Sequence, residues 1–351
     1  QYFIPPKGTT AERPSDCPPG SIRFNTDSAH LEYWNGEVWL EFEASSEELG
    51  QGTSGDAGTG TRAIIHMGFS SPSNLNTINA LNMASGGTAT DFGNSTITAR
   101  QQASCASSVR ALRAGGFSSS FKDVIDFVTI SSVGDATDFG NLTQARGGYL
   151  GSISNNTRGL FAGGYADSPA RRFNIIDYVT IPSTGDAVDF GDLTAGRSAP
   201  GNGVASPVRG VFFGGYTPTQ LNSIDYITIS TTGNAQDFGD CTSTVRSGAG
   251  ASNATRGLYM GGQRSPLTHT NVIEFITIAT TGNTQDFGDL NATSDMGASA
   301  ASPTKAIHHE ARNTTPISAV MIATTGNSTD FGDTSTSAAQ TSGCSNGHGG
   351  L

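Results

Sequence analysis

The sequence predicts an all-β protein assembled from six copies of one unit of four short strands. The tripeptide Asp-Phe-Gly occurs six times at intervals of 44 to 51 residues, with its aromatic residue at Phe92, Phe139, Phe190, Phe238, Phe287 and Phe331. An alternating apolar segment such as IIDYVTI (175–181) precedes the tripeptide, which is a strand signal. Glycine supplies 46 of the 351 residues and apolar residues only 35%, a composition typical of short strands joined by tight turns.

Each unit contains signals for four strands. A small-residue segment such as GAGASNA (248–254) predicts the first strand. The second strand begins at a basic residue and in most units ends in Gly-Gly; the basic residues are Arg62, Arg110, Arg158, Arg209, Arg256 and Lys305. Segments rich in β-branched and aromatic residues, such as VIDFVTI (124–130), predict the third strand, and a TTGN or STGD turn follows. The Asp-Phe-Gly segment is then a short outer strand.

The two ends of the repeat region complement each other. The first of the six repeats has no small-residue strand before Arg62, whereas GCSNGHGGL (343–351) aligns with GASNATRGL (250–258) and is left over. We therefore predict that the C-terminal strand completes the first repeat and closes 57–351 into a six-bladed β-propeller without an open edge. Cys105 and Cys344 fall at one repeat position, which predicts small core residues rather than reactive thiols.

The units resemble kelch repeats. Gly-Gly ends the second strand, an aromatic residue lies on the fourth strand, and an arginine follows several residues later, at Arg100, Arg146, Arg197 and Arg246. The units depart from the kelch pattern in their Asp-Phe-Gly signature and in KAIHHEAR (305–312), which has lost Gly-Gly. The resemblance implies architecture only, because propellers carry enzymes, adhesins and scaffolds alike.

Residues 1–42 do not repeat. SIRFNT, HLEYWN and VWLEF predict a small β-meander with a hairpin turn at Asn35-Gly36, and the polar, glycine-rich residues 43–56 predict a flexible linker. A meander of this size scarcely buries a core alone, so we expect it to pack on a partner or self-associate. An apolar face for that contact is predicted from Phe24, Tyr33, Trp34 and Trp39.

The motifs TTAERP, PGSIRFNTD and LEYWNGEVW in residues 8–42 resemble a module of tailed-bacteriophage virion proteins. The resemblance implies a structural protein of the extracellular virion, either a tail fibre or adhesin or a decoration protein of capsid or tail. Residues 1–42 would then attach to other virion proteins, and the protein would be multimeric in the particle. The propeller loops would bind a host-surface glycan or protein, or a virion partner.

Charge and cysteine spacing argue against several classes of protein. The formal net charge of −11 opposes nucleic-acid binding, and no apolar stretch is long enough for membrane insertion. The four cysteines form no CxxC pair and no cluster with histidines, so we expect neither a metal site nor a cofactor. Asp186, Asp189 and Asp192 permit a calcium site, but turn formation and backbone capping are the favoured interpretation.

The loops after the second strands vary in length and chemistry, which is typical of binding surfaces on repeat scaffolds. Candidate ligand-binding residues are Tyr165, Arg171, Arg172, Tyr216, Gln220, Arg264 and His269. The alternative is that they are solvated loop tips. For the repeated basic residues that begin the second strands, packing between blades is favoured over a ring that binds an anionic partner.

Catalytic motifs are missing from the sequence. There is no Gly-x-Ser-x-Gly elbow, HExxH or phosphate-binding loop, and His66, His308 and His309 fall in predicted strands, so we expect no enzyme and no catalytic residues. Two alternatives stay open. One is a glycan-degrading enzyme of the tailspike type, which would need paired carboxylates. The other is a cell-surface propeller unrelated to phage that binds carbohydrate or protein.

Overall fold

A computed structural model describes residues 5–28, 30–41, 61–167 and 170–351. The chain divides into two compact units, Gln1–Glu48 and Leu49–Leu351. Both consist of strands, and the one regular helix among the described residues is a 3-10 turn at Thr10–Glu12. The prediction of an all-β protein is therefore confirmed. The predicted linker 43–56 lies outside the described residues, and no described helix has the length and apolar character of a membrane span.

The first unit is one four-stranded sheet. Its strands in spatial order are Lys7–Gly8, Ile22–Asn25, His30–Trp34 and Trp39–Glu41. The last three form the predicted meander, and the Asn35 side chain accepts the N–H groups of Glu37 and Val38 in the hairpin turn, both at 2.8 Å. The first strand pairs in parallel with the second. It was not predicted, because two residues are too short for a periodic pattern.

The second unit contains six antiparallel sheets of four main strands each, and we number their strands in spatial order. Five short strands lie outside these sets. The first three sheets consist of Ser342–Ser345, Arg62–His66, Thr77–Asn82 and Thr90–Asn94 (sheet 1); Ala103–Ala106, Arg110–Ala114, Val124–Thr129 and Thr137–Asn141 (sheet 2); and Gly151–Ser154, Arg158–Ala162, Ile175–Thr180 and Val188–Asp192 (sheet 3).

The remaining sheets follow the same order. They consist of Val204–Ala205, Arg209–Phe213, Leu221–Thr228 and Gln236–Arg246 (sheet 4); Ala249–Ser252, Arg256–Met260, Thr268–Thr277 and Gln285–Ser294 (sheet 5); and Ala298–Ala301, Lys305–His309, Thr314–Met321 and Thr329–Ala338 (sheet 6). The small strands are Phe69–Ser70 with Ser73–Asn74, Tyr165–Asp167 with Ala170–Arg172, and Gln263–Arg264, which links sheets 4 and 5.

The C-terminal strand completes sheet 1, as predicted. Cys344 pairs with Ile64 in the middle of an antiparallel ladder. The strands Ser342–Ser345 and Arg62–His66 are not joined by a turn, because they come from the two ends of the repeat region. A hydrogen bond typical of such a turn still forms between them: the Asn346 side chain accepts the Arg62 N–H at 2.7 Å. In the unbroken turn of sheet 5, the side chain of Asn253 accepts the Arg256 N–H at 2.8 Å in the same way.

The Asp-Phe-Gly motif joins each sheet to the next. The Phe92 carbonyl of sheet 1 accepts the N–H of Gly134, which lies in the turn before the fourth strand of sheet 2, at 2.9 Å. Equivalent bonds join every consecutive pair of sheets, and the N–H of Gly87 in sheet 1 donates to Phe331 of sheet 6, also at 2.9 Å. The motif glycine has φ between +144° and +148° in all six copies, and a Cβ there would lie within 2.5 Å of the facing carbonyl oxygen. Only glycine fits this position.

The basic residue at the start of each second strand also joins neighbouring sheets. The Arg110 guanidinium lies 4.5 Å from the ring centroid of Phe127 and donates to the Ile181 carbonyl of the next sheet at 2.9 Å. Lys305 of sheet 6 donates to the Met83 carbonyl of sheet 1 at 3.0 Å. These contacts are the packing role that the sequence favoured, and they leave the cations engaged with ring faces and carbonyls.

The hydrophobic core lies between adjacent sheets. Leu112 of sheet 2, for example, packs in one cluster with Phe161 of sheet 3. Cys105 and Cys344 are buried, and burial raises the pKa of Cys105 well above its ordinary value and that of Cys344 to about 12. Both thiols are therefore protonated core groups at neutral pH, as predicted.

Candidate binding face

The loops that follow the second strands are fixed at the junctions between sheets. Phe117, at the start of the sheet 2 loop, pairs with Arg100, which follows the fourth strand of sheet 1. Tyr216 in the sheet 4 loop pairs in the same way with Ser198. Each such loop is therefore held by its own sheet and by the preceding one, and the side chains of neighbouring loops come into contact.

These contacts form a continuous series of aromatic rings and guanidinium groups. Arg100 lies 5.1 Å from the ring of Phe69 and 5.4 Å from that of Phe117, and Arg172 lies 5.7 Å from Tyr165 and 4.7 Å from Tyr216. We call this series the aromatic–arginine strip; its members are Phe69, Arg100, Phe117, Phe121, Tyr165, Arg172, Tyr216 and Arg246.

Phe121 connects the two halves of the strip. Its ring packs edge-to-face on Phe117 at 5.1 Å and on Tyr165 at 5.7 Å. At the far end, the Arg246 guanidinium lies 4.8 Å from the Tyr216 ring. The strip therefore crosses the loops of sheets 1 to 4. Its rings are half-buried, so each keeps part of its surface in contact with solvent.

The seven candidate ligand-binding residues divide into two groups. Tyr165, Arg172 and Tyr216 belong to the strip, and Gln220 is bridged to Tyr216. The other three are engaged in packing. Arg171 contacts the Phe173 ring and the Gln144 side chain, Arg264 pairs with the buried Glu274 at 3.1 Å, and His269 lies 3.4 Å from Asp295.

The sequence did not identify Phe69, Arg100, Phe117, Phe121 and Arg246 as candidate ligand-binding residues. The aromatic residue after Gly-Gly and the arginine after the fourth strand were visible as repeat features. Their proximity depends on how one sheet packs on the next, and this was not visible.

Two guanidinium groups of the strip keep free hydrogen-bond donors. The guanidinium groups of Arg100 and Arg172 contact rings but form no hydrogen bond or ion pair with any described residue, and Arg100 Nε is buried without a partner. A guanidinium stacked on a ring keeps its N–H donors in the plane, where they fit the two oxygens of a carboxylate. This arrangement can bind a planar anion without a change in the loops.

Buried carboxylates lie between the sheets, away from the strip. Asp225, at the centre of a third strand, accepts the N–H of Thr194 at 2.8 Å and pairs with Arg197 at 2.7 Å, with both charged groups buried. Asp126, Asp177 and Glu274 occupy the equivalent positions. The signal for them was an acidic residue at the centre of the apolar third-strand segment in sheets 2 to 5; sheets 1 and 6 have Asn79 and Ser318 there. These acids stabilise the junctions, where no substrate has access.

The pair of Arg197 and Asp225 gives a stability prediction. Asp225→Ala is expected to lower the free energy of unfolding by about 3–5 kcal/mol, because the Arg197 guanidinium then stays buried without its carboxylate. The double variant Asp225→Ala/Arg197→Met removes both charges and is expected to be more stable than the single variant. Urea denaturation of both variants measures the difference, and a single variant as stable as the double one would contradict the prediction.

The six first strands surround a small central cavity of about 50 Å³, with room for a few water molecules. His348 is among its lining residues: its Nε2 lies 2.7 Å from the Ala106 carbonyl, and its Nδ1 accepts the Gly350 N–H at 3.1 Å. The Tyr149 hydroxyl donates to the Met296 sulfur, and both residues line a separate, smaller cavity of about 10 Å³. The central cavity is therefore too small for a sugar ring.

The acidic turns are occupied by contacts between sheets. The Asp186 carboxylate accepts the backbone N–H of Asn141 in the preceding sheet at 2.9 Å, and Asn234 accepts that of Asp192 at 3.0 Å. This is the backbone capping that the sequence favoured over a calcium site. Within the described ranges, no group of three or more His, Cys, Asp or Glu side chains is arranged to hold a metal ion.

The predicted attachment residues lie on opposite faces of the first unit's sheet. Because alternate residues of a strand point to opposite faces, the pairing register places Phe24 and Tyr33 on one face and Trp34 and Trp39 on the other. The two indole rings pack together at 5.7 Å, and Arg23 lies 5.9 Å from Trp39. The expectation that all four aromatic residues supply a single apolar face is therefore wrong.

The apolar face of that sheet includes three exposed aliphatic residues that the sequence did not single out. Ile22, Leu31 and Leu40 are 43%, 41% and 39% exposed and share the face of Phe24 and Tyr33. The opposite face carries the buried Glu32, paired with Arg13 at 2.6 Å.

No protein-family model matches the chain, and a search of curated proteins finds no significant match.

Proposed function

We propose that residues 61–351 form a six-bladed, kelch-like β-propeller in which each sheet is one blade and the C-terminal strand completes the first. The contacts between sheets support this, because they follow the chain from sheet 1 to sheet 6 and then return to sheet 1. The bond from the Gly87 N–H to the Phe331 carbonyl repeats, between the last and first sheets, the bond that joins every other pair. The basic residues repeat the same cycle, with Lys305 reaching Met83.

We propose further that the protein is a structural virion component of a tailed bacteriophage, a tail fibre or adhesin or a decoration protein. Residues 1–42 attach it to other virion proteins, and the loop face of the propeller contacts a host surface or another virion protein. The observation that carries this proposal is the virion-like module, whose LEYWNGEVW motif supplies two strands of a separate sheet with an apolar face. Such a face on a small sheet is typical of a protein–protein contact.

The first experiment measures incorporation into particles. A chain without residues 1–55 is expected to keep a folded second unit, which circular dichroism verifies, but to be missing from purified phage particles. Leu31→Asp places a charge on the exposed apolar face and is expected to reduce incorporation at least about tenfold, since burying an unpaired carboxylate costs several kcal/mol. Glu37→Gln, at an exposed turn residue, is the matched control and is expected to assemble normally.

Two results would overturn the proposal. One is isolation of the protein from uninfected cells with none in purified particles, which would favour the cell-surface alternative. The other is normal incorporation of the chain without residues 1–55. Imaging of particles labelled with an antibody to the second unit would also identify the substructure that carries the protein. Hydrolysis of host glycans by the purified chain would favour the tailspike-type enzyme.

A further inference from the structure

We propose that the aromatic–arginine strip is a binding site for a glycan chain whose sugars carry carboxylate groups. This inference rests on the proposed adhesive function and specifies its ligand. The guanidinium groups of Arg100 and Arg172 would bind the carboxylates, and the half-buried rings between them would contact the faces of the sugar rings.

The charge of the ligand follows from the two unpaired guanidinium groups. Arg172 is exposed and is held against the rings of Tyr165 and Tyr216, while Arg100 is held between Phe69 and Phe117. In an acidic protein with a formal net charge of −11, such cations commonly pair with nearby carboxylates, but these two do not pair with any described residue. Because stacking already restricts their rotamers, binding an anion costs little additional side-chain entropy.

The shape of the ligand follows from the arrangement of the strip. Its groups come from the loops of consecutive sheets, and its cations are separated by aromatic rings, so they fit an extended chain with spaced charges better than a compact anion. Phe117, Phe121 and Tyr165 provide ring surface between the guanidinium groups of Arg100 and Arg172. Half-buried aromatic side chains suit the apolar C–H faces of sugars.

Other polyanions fit the same surface less well. Nucleic acid carries a phosphate at every nucleotide, and the net charge of −11 repels a chain of that charge density. Acidic peptide motifs are commonly recognised by clusters of arginine side chains. In the strip, the rings of Phe117, Phe121 and Tyr165 instead separate the two arginines, which provides more ring surface than an acidic peptide uses.

The test uses the full chain and polygalacturonate, in which each sugar carries a carboxylate. We expect saturable binding by isothermal titration calorimetry and no binding to the same polymer after full methyl esterification. Arg172→Gln is expected to weaken binding at least about tenfold, and Arg172→Lys less, because it keeps the charge but loses the planar fork. Lys7→Gln, which removes an exposed charge in the first unit, is the matched control and is expected to bind normally. A melting temperature unchanged from the wild type shows that each variant is folded.

Three results would overturn the inference. These are equal binding of the esterified polymer, unchanged affinity of both Arg172→Gln and Arg100→Gln, and preferential binding of polyglutamate or oligodeoxythymidine over polygalacturonate. The proposed virion function is tested separately by particle incorporation. A chain that assembles into particles but fails to bind polygalacturonate would overturn only the ligand class, whereas one missing from particles would overturn the virion role whatever it binds.

Discussion

Deletion of residues 341–351 is expected to lower the melting temperature of the second unit by about 8 °C. The deletion removes the strand Ser342–Ser345, whose ladder with Arg62–His66 completes sheet 1. It also removes the Asn346 cap on the Arg62 N–H and the His348 contact with Ala106 of sheet 2. The remaining chain therefore has an unpaired strand edge at Arg62–His66.

The size of the effect follows from what the deletion exposes. Four residue pairs of backbone ladder are lost, at about 1 kcal/mol net for each hydrogen bond. The fully buried Ile64 loses Cys344 as its neighbour, which adds apolar surface at about 25 cal/mol per Å². The sum is about 5 kcal/mol, and at about 2.1 cal/mol/K of unfolding entropy per residue each kcal/mol lowers the melting temperature of a unit of about 300 residues by roughly 1.6 °C.

A relocated strand provides the rescue experiment. Joining Gly347 directly to Thr61, so that residues 342–347 precede the second strand, produces the turn Asn346-Gly347-Thr61-Arg62. It corresponds to the natural turn Asn253-Ala254-Thr255-Arg256 of sheet 5. This variant lacks the C-terminal copy and is expected to regain most of the lost melting temperature, measured by calorimetry.

Removal of residues 1–55 is the control and is expected to leave the melting temperature of the second unit unchanged, since it belongs to a separate compact unit. A deletion of 341–351 that melts like the intact chain would refute the role of the C-terminal strand.

Acidification is expected to destabilise the second unit progressively between pH 6.5 and about 4. Burial lowers the pKa of His66 and His309 from 6.5 to about 4 and that of His308 to about 3. All three imidazoles are fully buried. His308 lies between the Ser294 and Ser299 hydroxyls, at 2.6 and 2.8 Å, with no carboxylate to stabilise a cation.

The direction follows from proton uptake in the two states. Above pH 6.5 each imidazole is neutral in both the folded and the unfolded chain, so these groups do not make stability depend on pH. Below pH 6.5 the unfolded chain binds protons that the folded chain excludes, and stability falls by up to about 1.4 kcal/mol per pH unit for each group. The loss ends near the folded pKa. For His66 the total loss of stability down to that pH is about 3 kcal/mol.

His66→Gln isolates one of these groups. The His66 Nδ1 has only a long contact of 3.4 Å with Ser95, so the variant loses little hydrogen bonding. Urea denaturation at pH 7, 6 and 5 is expected to show a pH slope smaller by about 1.4 kcal/mol per unit between pH 6 and 5. The matched control is His30→Gln, which lies in the first unit and is expected to leave the pH slope of the second unit unchanged. Equal slopes for the wild type and the His66 variant would show that His66 is protonated in the folded state.

Prediction from sequence was strongest where the signal was local and repeated. The alternation of residues in segments such as 175–181, together with the turn glycines, indicated strands that the structure places at Ile175–Thr180 and in its counterparts. The closing strand was also predictable, because 343–351 matched the kind of first strand that the first repeat lacked. By contrast, the sequence did not show that Asp225 would pair with Arg197, since the two residues belong to different sheets.

What the sequence determined by itself was the all-β class, the six units and the complementarity of their two ends, because these depend on periodicity along one strand and on repeat spacing. Only the tertiary structure decided which loop side chains meet. Arg172 contacts Tyr216, 44 residues further along the chain, because neighbouring sheets bring their loops together. Pairing register likewise decided that Trp34 lies opposite Phe24, since a side chain's face depends on its position relative to a partner strand.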